Sequence, residues 1–401
     1  MSKTILLIGT LDTKGTEFAY VRDLIRARGH TTRVMNVGIF DAPYPSDISA
    51  EAVAQAGGMD LSALRAANDR GGAVATMMRG AAALTAQLYA DGRFDGVLSL
   101  GGSGGTAIAT AAMRALPVGV PKLMVSTIAS GDVAPYVDVT DITMMYSVVD
   151  IAGLNALSRR ILANAAGMIV GAVEQTLPAT DAKPLIAATM FGVTTPCVTR
   201  VRERLEAAGY EVLVFHATGS GGRAMEALIV GGYIAGVADV TTTEWADQLV
   251  GGVLAAGEQR LEAAAHAGIP QVISLGALDM VNFWARDTVP EPFQARTFYQ
   301  HNANVTLMRT TPDECAQLGR IIAEKLNAAS GKTILFIPLK GVSAIDAAGQ
   351  PFYAPDADAA LFDAVRQHIR APVELVELDL HINDAAFADA MSDRLLELMK
   401  K

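Results

Sequence analysis

Short aliphatic runs alternate with helical segments along this chain of 401 residues, and that alternation restricts the fold more than any other feature. In the first half the strand-like runs are "TILLIG", "TRVMNV", "GVLSLG", "KLMVST" and "ITMMYS", at 4–9, 32–37, 96–101, 122–127 and 142–147. Helical segments lie between them, for instance at 16–28, 73–90 and 105–115. This alternation is typical of parallel sheets with crossover helices. The sequence therefore predicts an α/β fold with mainly parallel sheets and helices on both faces.

The same pattern restarts after "EQTLPATDAKP" at 174–184, whose proline, threonines and charges are typical of a linker. Further strands follow at 236–241, 270–276, 305–310, 333–339 and 373–379, and a helix at 384–400 closes the chain. Single cores stop growing at roughly 250–300 residues. We therefore predict two domains, 1–175 and 185–401, with the boundary between about Gly171 and Leu185.

The connecting segments carry three further predictions. The stretch 40–72 is predicted to be an irregular insertion with one short helix, and a long helix is predicted from about Asp150 to Gly171. The start of the second half repeats the order of the first: strand, polar turn, charged helix, glycine stop and strand. This repeat indicates either a weak internal duplication or the chance similarity of two β–α–β units.

Composition argues against several classes of function. The net charge is −10 and the lysines and arginines are dispersed, so we expect no nucleic-acid partner. Cys197 and Cys315 lack a CxxC partner and the six histidines are scattered, which argues against disulfides and zinc. No stretch of about twenty apolar residues lacks charge or glycine. The apolar run before Gly9 is too short for a signal peptide. We expect a soluble, cytoplasmic protein without a membrane partner.

The strongest local signal is a glycine-rich loop in "LSLGGSGGTAIATAAMRAL", between a strand and a helix of small residues. Four glycines in six positions allow the backbone to approach a ligand, and a helix N-terminus presents N–H groups and a positive dipole end. The two hydroxyl residues add donors. The loop therefore predicts a phosphate or carboxylate site, with a plain strand–helix turn as the alternative. Its residues are Gly101, Gly102, Ser103, Gly104, Gly105 and Thr106.

The segment "GTLDTKGT" also follows a strand and places Thr10, Asp12, Thr13 and Lys14 where open parallel sheets bind ligands. It matches neither the Walker A loop, nor the dehalogenase-type phosphatase motif, nor the GxGxxG fingerprint. We predict that Lys14 contacts a nucleotide phosphate. The alternative is a solvated lysine in the first turn of a helix.

A third polar loop, "STIASGDVAPYVDVTD", follows another strand and contains Ser126, Ser130 and Gly131. It is longer than a simple connection requires. Because the carboxyl ends of parallel strands meet at one edge of a sheet, the three loops together predict a nucleotide pocket.

These three motifs and "YSVVDIAGLN" resemble the family that contains the ATP-binding N-terminal domain of the tomato tobamovirus-resistance protein. The resemblance extends over nearly the whole chain, including "GALDMVNFWA", "HNANVTLMRTT" and "IPLKGVSAID". It implies two Rossmann-like subdomains, a homodimer, and ATP with Mg²⁺ bound by the first subdomain. The plant domain binds a viral replication protein, a role that we do not expect here.

Carried over to this chain, the family's phosphate-contacting turn falls on Thr10, Asp12, Thr13 and Lys14, and its glycine loop on 101–106. Asp12 would then be the metal-side carboxylate, because Mg²⁺ is usually bound through one or two carboxylates together with phosphate oxygens.

The second half has its own polar residues at the junctions between strands and loops. Repeated polar groups at such junctions are typical of a pocket. We predict a catalytic role for His301, Lys340 and Asp279 and a substrate-binding role for His216, Asn282, Asn302, Arg309 and Ser343. If His301, Arg309 and Lys340 converge, they form a site for a small anionic metabolite.

Three functions remain open at this point. The first is a metabolic enzyme that uses or is regulated by ATP and acts on a small anionic substrate. The second is a nucleotide-dependent module that binds another protein. The third is an ATP-independent enzyme whose glycine loop binds a carboxylate or keto acid substrate.

Overall fold

The computed structural model describes residues 2–176, 178 and 182–400, and its contacts divide the chain into two compact units, Met1–Ala179 and Thr180–Lys401. Each unit is built on a parallel β-sheet that packs against helices. The predicted α/β class with mainly parallel sheets is confirmed.

The first unit contains a five-stranded sheet in which all neighbouring strands are parallel. Its strands are β1 (Thr4–Gly9), β2 (Thr31–Asn36), β3 (Gly96–Gly101), β4 (Lys122–Ser126) and β5 (Thr143–Tyr146). Its helices are α1 (Leu11–Ala27), α2 (Ala50–Ala56), α3 (Leu61–Ala67), α4 (Arg70–Ala90), α5 (Ser103–Arg114), α6 (Ala134–Val137) and α7 (Ala156–Glu174). The strand order is β2-β1-β3-β4-β5.

Alternate residues of β1 face opposite sides of this sheet. Leu6 and Ile8 pack in a core with side chains of α2, α4 and α5, whereas Ile5 and Leu7 pack with side chains of α1 and α7. Successive side chains of a strand point to opposite faces. Helices therefore cover both faces, which explains why the strands are continuous aliphatic runs.

Two segments of this unit differ from the prediction. Helix α1 begins at Leu11 rather than at residue 16, so Asp12 and Lys14 lie inside a helix and not in a turn before it. The stretch 40–72 contains two short helices and the start of a third, instead of one helix. Its polar composition concealed the apolar residues, such as Val53 and Leu64, that anchor these helices to the core.

Helix α7 is, among the described residues, the one helix long and apolar enough by composition to cross a membrane. Its inner face, which includes Ile161, Ala165 and Ile169, is buried in the core that α1 and the sheet also form. Packing inside the unit accounts for this apolar composition. The helix begins at Ala156 and not near Asp150, because Asn155 and Ser158 form a capping box.

The second unit contains a six-stranded parallel sheet and a small antiparallel sheet. Its strands are β6 (Leu185–Met190), β7 (Glu211–His216), β8 (Ile234–Thr241), β9 (Gln271–Gly276), β10 (Met280–Phe283), β11 (Phe298–Asn302), β12 (Val305–Arg309), β13 (Thr333–Pro338) and β14 (Glu374–Leu378). Its helices are α8 (Thr195–Ala207), α9 (Ser220–Val230), α10 (Glu244–Val250), α11 (Ala263–Ala267), α12 (Pro312–Asn327), α13 (Pro355–His368) and α14 (Ala385–Met399).

The strand orders of the second unit are β14-β13-β9-β8-β6-β7 and β10-β12-β11. The strand predicted at 305–310 is β12, which lies in the antiparallel sheet and not in the parallel one. Strands β10 and β11 were not predicted, because "MVNF" and "FYQHN" are too short and too polar to stand out from loops.

Both parallel sheets reverse their strand order at the same place. The first strand of each unit lies between the second and the third: β1 between β2 and β3, and β6 between β7 and β8. Chains that leave such a pair of strands diverge, and a crevice opens at the carboxyl ends of the two strands. The two units differ in what occupies that crevice.

In the second unit the crevice is filled by the chain itself. Thr189 and Asp239, at the ends of β6 and β8, are joined by a hydrogen bond of 2.6 Å. The buried guanidinium of Arg260 donates to both oxygens of Asp239, at 2.6 and 2.7 Å, and to Glu244 at 2.7 Å. Removal of a partner from such a cluster would leave a buried charge uncompensated, so these groups are fixed.

A second buried cluster joins the end of β12 to the loop after β13. The Arg309 guanidinium donates to Asp358 at 2.6 Å and lies 3.5 Å from Asp346, and Asp279 belongs to the same cluster. Burial and the neighbouring carboxylates raise the pKa of Asp346 to about 9, and burial raises the pKa of Asp279 to about 6. Asp346 therefore keeps its proton at neutral pH.

We predict that Asp346→Asn raises the free energy of unfolding at alkaline pH. A carboxyl group with a raised folded-state pKa gives its full stability below its unfolded pKa of about 4 and loses it as the pH rises through about 9. Because asparagine does not ionise, the advantage of the variant should grow by up to about 1.4 kcal/mol per pH unit in this window. Urea unfolding at about pH 5, 7 and 9 measures the difference.

The matched control is Asp379→Asn, since this carboxylate is 80% exposed beside Lys340. The control should leave the dependence of stability on pH unchanged. Parallel profiles for the native protein and Asp346→Asn would contradict the prediction.

Candidate functional site

A cavity of about 620 Å³ opens in the first unit at the carboxyl ends of β1 and β3. These two strands flank the reversal of strand order, where open parallel sheets bind ligands. The lining comes from the start of α1, the segment after β2, the α3–α4 junction and the start of α5. The lining residues are Thr10, Asp12, Thr13, Lys14, Val37, Gly38, Ile39, Phe40, Leu64, Arg65, Asn68, Asp69, Arg70, Ala73, Val74, Met77, Gly102, Ser103, Gly104, Gly105 and Ile108.

The glycines at the start of α5 are not required by the packing of the unit. A Cβ atom at Gly102 would lie 3.7 Å from Thr127 Oγ1, one at Gly104 3.9 Å from Val74 Cγ2, and one at Gly105 4.0 Å from Leu100 O. These are ordinary contact distances. None of the three glycines has a positive φ. The fold would therefore accept alanine at each position, and the glycines leave this part of the cavity wall without side chains.

This helix start lines the cavity, and among the described residues the chain provides no acceptor for its first backbone N–H groups. Gly102 is the N-cap and provides no side chain, and the first amide with a backbone acceptor is that of Thr106, which donates to Gly102 O at 2.8 Å. Within 2–176, 178 and 182–400 no side chain accepts a hydrogen bond from the amides of Ser103, Gly104 or Gly105. Such a helix start attracts anions.

The glycine loop of the second unit is different. The amides of Gly219 and Gly222, at the start of α9, donate to Glu244 Oε1 at 2.6 and 3.1 Å. A Cβ at Gly221 would lie 1.9 Å from His216 O, and Gly219 has a φ of 81°. Here the glycines are required by the fold, and the chain supplies its own carboxylate as the anion.

The first turn of α1 forms the opposite wall of the cavity. Thr10 is the N-cap, and Thr13 donates its hydroxyl to Thr10 O at 3.2 Å. Asp12 accepts from the amide of Phe40 through Oδ2 at 3.0 Å, while Oδ1 is buried without a hydrogen-bond partner in the described part of the chain. Gly38 permits this position, since a Cβ there would lie 2.4 Å from Asp12 Oδ1.

Lys14 lines the cavity, but its ammonium group is already engaged. Nζ donates to the carbonyl oxygen of Ile151, in the segment between β5 and α7. Lys14 also interrupts α1, with φ −131° and ψ 21°. Its predicted contact with a phosphate therefore requires the bond to Ile151 to be exchanged or shared.

Sequence reasoning missed the α3–α4 junction, which contributes Asn68, Asp69 and Arg70 to the cavity. Arg70 is the first residue of α4, is exposed, and has no ion-pair partner among the residues that the structure describes. Arg65 lies nearby and binds Asp41 at 3.2 Å. The sequence signal for this junction was "NDRGG". Asp69 caps α4 by accepting from the amide of Gly71 at 3.0 Å, and this cap fixes Arg70 at the helix start.

The predicted third loop does not line the cavity. Ser126 is fully buried and pairs with Thr106 at 2.7 Å, so both hydroxyls join β4 to α5 inside the unit. Ser130 and Gly131 are also outside the lining, as is Gly101. A ligand role for these five residues stays a prediction from the sequence.

Four of the predicted residues of the second unit are buried and bonded within it, namely Asp279, Asn282, Arg309 and Ser343. Ser343 donates to Asp279 Oδ2 at 2.8 Å, and Asn282 donates to Asp247 at 2.6 Å. Burial raises the pKa of Asp247 to about 7. Arg309 adds bonds to Phe352 O at 2.8 Å and Thr310 at 2.9 Å to its contacts with carboxylates. These groups build the interior of the unit.

The other predicted residues of this unit are exposed. His216 lies on edge strand β7 against the ring of Phe191, with ring centroids 5.4 Å apart. His301 and Asn302 lie on β11, and Lys340 pairs with Asp379 at 3.0 Å. Buried Arg309 is thus held by internal carboxylates, whereas His301 and Lys340 are exposed to solvent. The anion site predicted from these three residues stays a prediction.

Comparison with known proteins places the chain in a family. Residues 3–178 match the N-terminal domain and residues 183–399 the C-terminal domain of the "Uncharacterised protein family (UPF0261)". A UPF0261 protein of Clostridium tetani is 54% identical over 404 residues, which are 100% of both chains. The ToMV resistance protein Tm-1(GCR237) of Solanum lycopersicum is 46% identical over 345 residues, 84% of this chain but 46% of the tomato protein.

Among solved structures, UDP-N-acetylglucosamine 2-epimerase from Rickettsia bellii aligns with 99% of this chain and 96% of its own, at 11% identity and a TM-score of 0.24. The Streptomyces sp. SF2575 glycosyltransferase SsfS6, complexed with thymidine diphosphate, aligns with 68% of this chain and 81% of its own, at 15% identity and a TM-score of 0.21. Likenesses this low carry no argument about function. The two domain matches and the identities above confirm the predicted resemblance: this chain belongs to the uncharacterised protein family UPF0261, together with the tomato Tm-1 proteins.

Proposed function

We propose that the first unit binds ATP with Mg²⁺, and that the start of α5 binds the phosphate groups. The observation that carries this proposal is the set of three glycines that the packing does not require, at a helix start whose amides face a cavity. Bare N–H groups at the positive end of a helix dipole favour phosphate. The cavity volume of about 620 Å³ also lies in the usual range for a small-molecule site.

Asp12 fits the role of the metal-side carboxylate. Its buried Oδ1 lacks a partner in the described part of the chain, which is costly unless a ligand supplies one. The described residues contain no cluster of three or more His, Cys, Asp or Glu suited to a metal. A magnesium ion would therefore be held by Asp12 together with phosphate oxygens and water, the set of ligands usual in nucleotide sites.

The remaining lining suits the rest of a nucleotide. Ile39, Phe40, Leu64, Val74 and Met77 give an apolar wall, which is suited to the faces of a base. The aromatic ring of Phe40 is 61% exposed. The predicted acid and base residues of the second unit do not support a catalytic step: Asp279 is bonded to Ser343, and His301 and Lys340 are exposed.

We predict that Gly104→Ala keeps the fold and weakens ATP binding. Alanine in place of glycine in a helix should raise the free energy of unfolding by up to about 1 kcal/mol, because the new Cβ meets Val74 only at 3.9 Å. The same methyl group occupies the cavity wall and should weaken ATP affinity at least about tenfold. Calorimetric titration and urea unfolding measure the two effects.

The matched control is Gly221→Ala, because Gly104 and Gly221 are both the second residue of their helices. A Cβ at Gly221 would lie 1.9 Å from His216 O, so this variant should lose stability. Unchanged ATP affinity in Gly104→Ala, or no ATP binding by the native protein, would refute the proposed function. Binding of a carboxylate without ATP would favour the ATP-independent enzyme instead.

Asp12→Asn should reduce the dependence of ATP binding on Mg²⁺. The amide oxygen can still accept from Phe40 N, now 3.0 Å from Oδ2, so the local structure is kept while the charge is lost. ATP affinity with Mg²⁺ should fall by roughly tenfold or more, and affinity in EDTA should stay within about twofold. An equal loss in both conditions would show that Asp12 does not serve the metal.

Arg70→Ala should weaken ATP binding by roughly tenfold without loss of stability, because one charge-assisted hydrogen bond contributes about 1.5–3 kcal/mol. Arg93→Ala, another arginine of this unit but outside the cavity lining, is the control. A loss that disappears at about 0.5 M salt is expected for this exposed cation. Equal affinities of the two variants would exclude Arg70 from the site.

A further inference from the structure

The motif "YSVVDIAGLN" has no part in the cavity, yet α1 holds it in place. We call residues 147–155, which connect β5 to α7, the β5–α7 segment. Lys14 Nζ donates to Ile151 O, and the amide of Gly153 donates to Glu17 Oε1 at 2.5 Å. Lys14 and Glu17, three positions apart on α1, thus form a clamp that binds the backbone on both sides of Ala152.

The two side chains of this clamp have different surroundings. Glu17 is 2% exposed and does not line the cavity, so its bond to Gly153 is an internal one. Lys14 lines the cavity and binds only a neutral carbonyl oxygen of the segment. A phosphate is the stronger acceptor for an ammonium group, because the attraction between opposite charges is added to the hydrogen bond.

The segment is also held in a backbone conformation that it does not favour. Val148 has a φ of 64°, a left-handed conformation that is an outlier for a β-branched residue. Its side chain is 57% exposed, so core packing does not compensate for this strain. Such a conformation persists only where surrounding contacts hold it, so the contacts with α1 help to maintain this segment.

We infer that Lys14 couples the cavity to the β5–α7 segment: a phosphate that binds in the cavity takes the ammonium group from Ile151 O and loosens the segment. The inference rests on the proposed function. It assigns two alternative acceptors to the ammonium group of Lys14, whose backbone departs from helical geometry with φ −131° and ψ 21°. By linkage, a looser segment should in turn favour the ligand.

Hydrogen exchange of the full chain, followed by mass spectrometry with and without saturating ATP and Mg²⁺, tests this coupling. The Gly153 amide, which donates to Glu17 Oε1, should exchange roughly tenfold faster with ATP, because without the Lys14–Ile151 bond the segment opens more often by the factor expected for one hydrogen bond. The edge strand β7 of the second unit provides the internal reference and should not change. Unchanged or slower exchange of the Gly153 peptide at saturation would overturn the inference.

Lys14→Met removes the ammonium group and keeps much of the side-chain length. This variant should show fast exchange of the Gly153 peptide without ATP, and ATP should add nothing. Lys3→Met is the matched control, since Lys3 pairs with Asp95 at 2.9 Å in the same unit and is not a lining residue. Native-like slow exchange in Lys14→Met would overturn the inference even if ATP binds.

The two proposals fail in different ways. A native protein without calorimetric ATP binding refutes the proposed function and with it the nucleotide trigger. A native protein that binds ATP while its β5–α7 segment is unaffected keeps the proposed function and loses only the coupling.

Discussion

The reversal of strand order is the constraint on which the rest of this structure depends. In both units the first strand lies between the second and the third, so the connections leave to opposite sides and a crevice forms at the carboxyl ends. A crevice that exposes helix starts must be filled by side chains or by a ligand, because bare amides need acceptors. In the second unit Arg260, Asp239 and Glu244 fill it, and in the first unit it remains a cavity.

The two glycine loops show how the same residue type can serve opposite purposes. Gly221 and Gly222 are required because the chain lies within 1.9 and 2.2 Å of where their Cβ atoms would be. Across the described residues, a Cβ at Gly104 would first meet Val74 at 3.9 Å, and one at Gly105 would first meet Leu100 O at 4.0 Å. Packing against the chain accounts for Gly221 and Gly222. Gly104 and Gly105 lie beside open space, which indicates a ligand rather than a packing requirement. That difference supports the first unit, and not the second, as the place where an anion binds.

Charge is distributed between the units in keeping with this division. Among the described residues of the second unit, Arg260 and Arg309 are the buried arginines, and both are bound to carboxylates of the chain. Burial of such groups holds the loops in place, but it makes the free energy of unfolding depend strongly on pH, as the raised pKa of Asp346 illustrates. In the first unit the cations beside the cavity are exposed or bound to neutral groups. Neither Arg70 nor Lys14 is paired with a carboxylate among the described residues.

The sequence by itself determined the α/β class, the parallel pairing and the glycine-rich loop at 101–106, because strand and helix periodicities are local and glycine clusters are visible in the letters. Tertiary structure alone decided which glycine loop faces a cavity, since that depends on Glu244, more than twenty residues beyond Gly219 in the chain. It also decided that Arg70 lines the cavity and that Ser126 pairs with Thr106 inside the unit. Whether a polar group meets a ligand or a neighbour depends on distances across the fold, which no local pattern encodes.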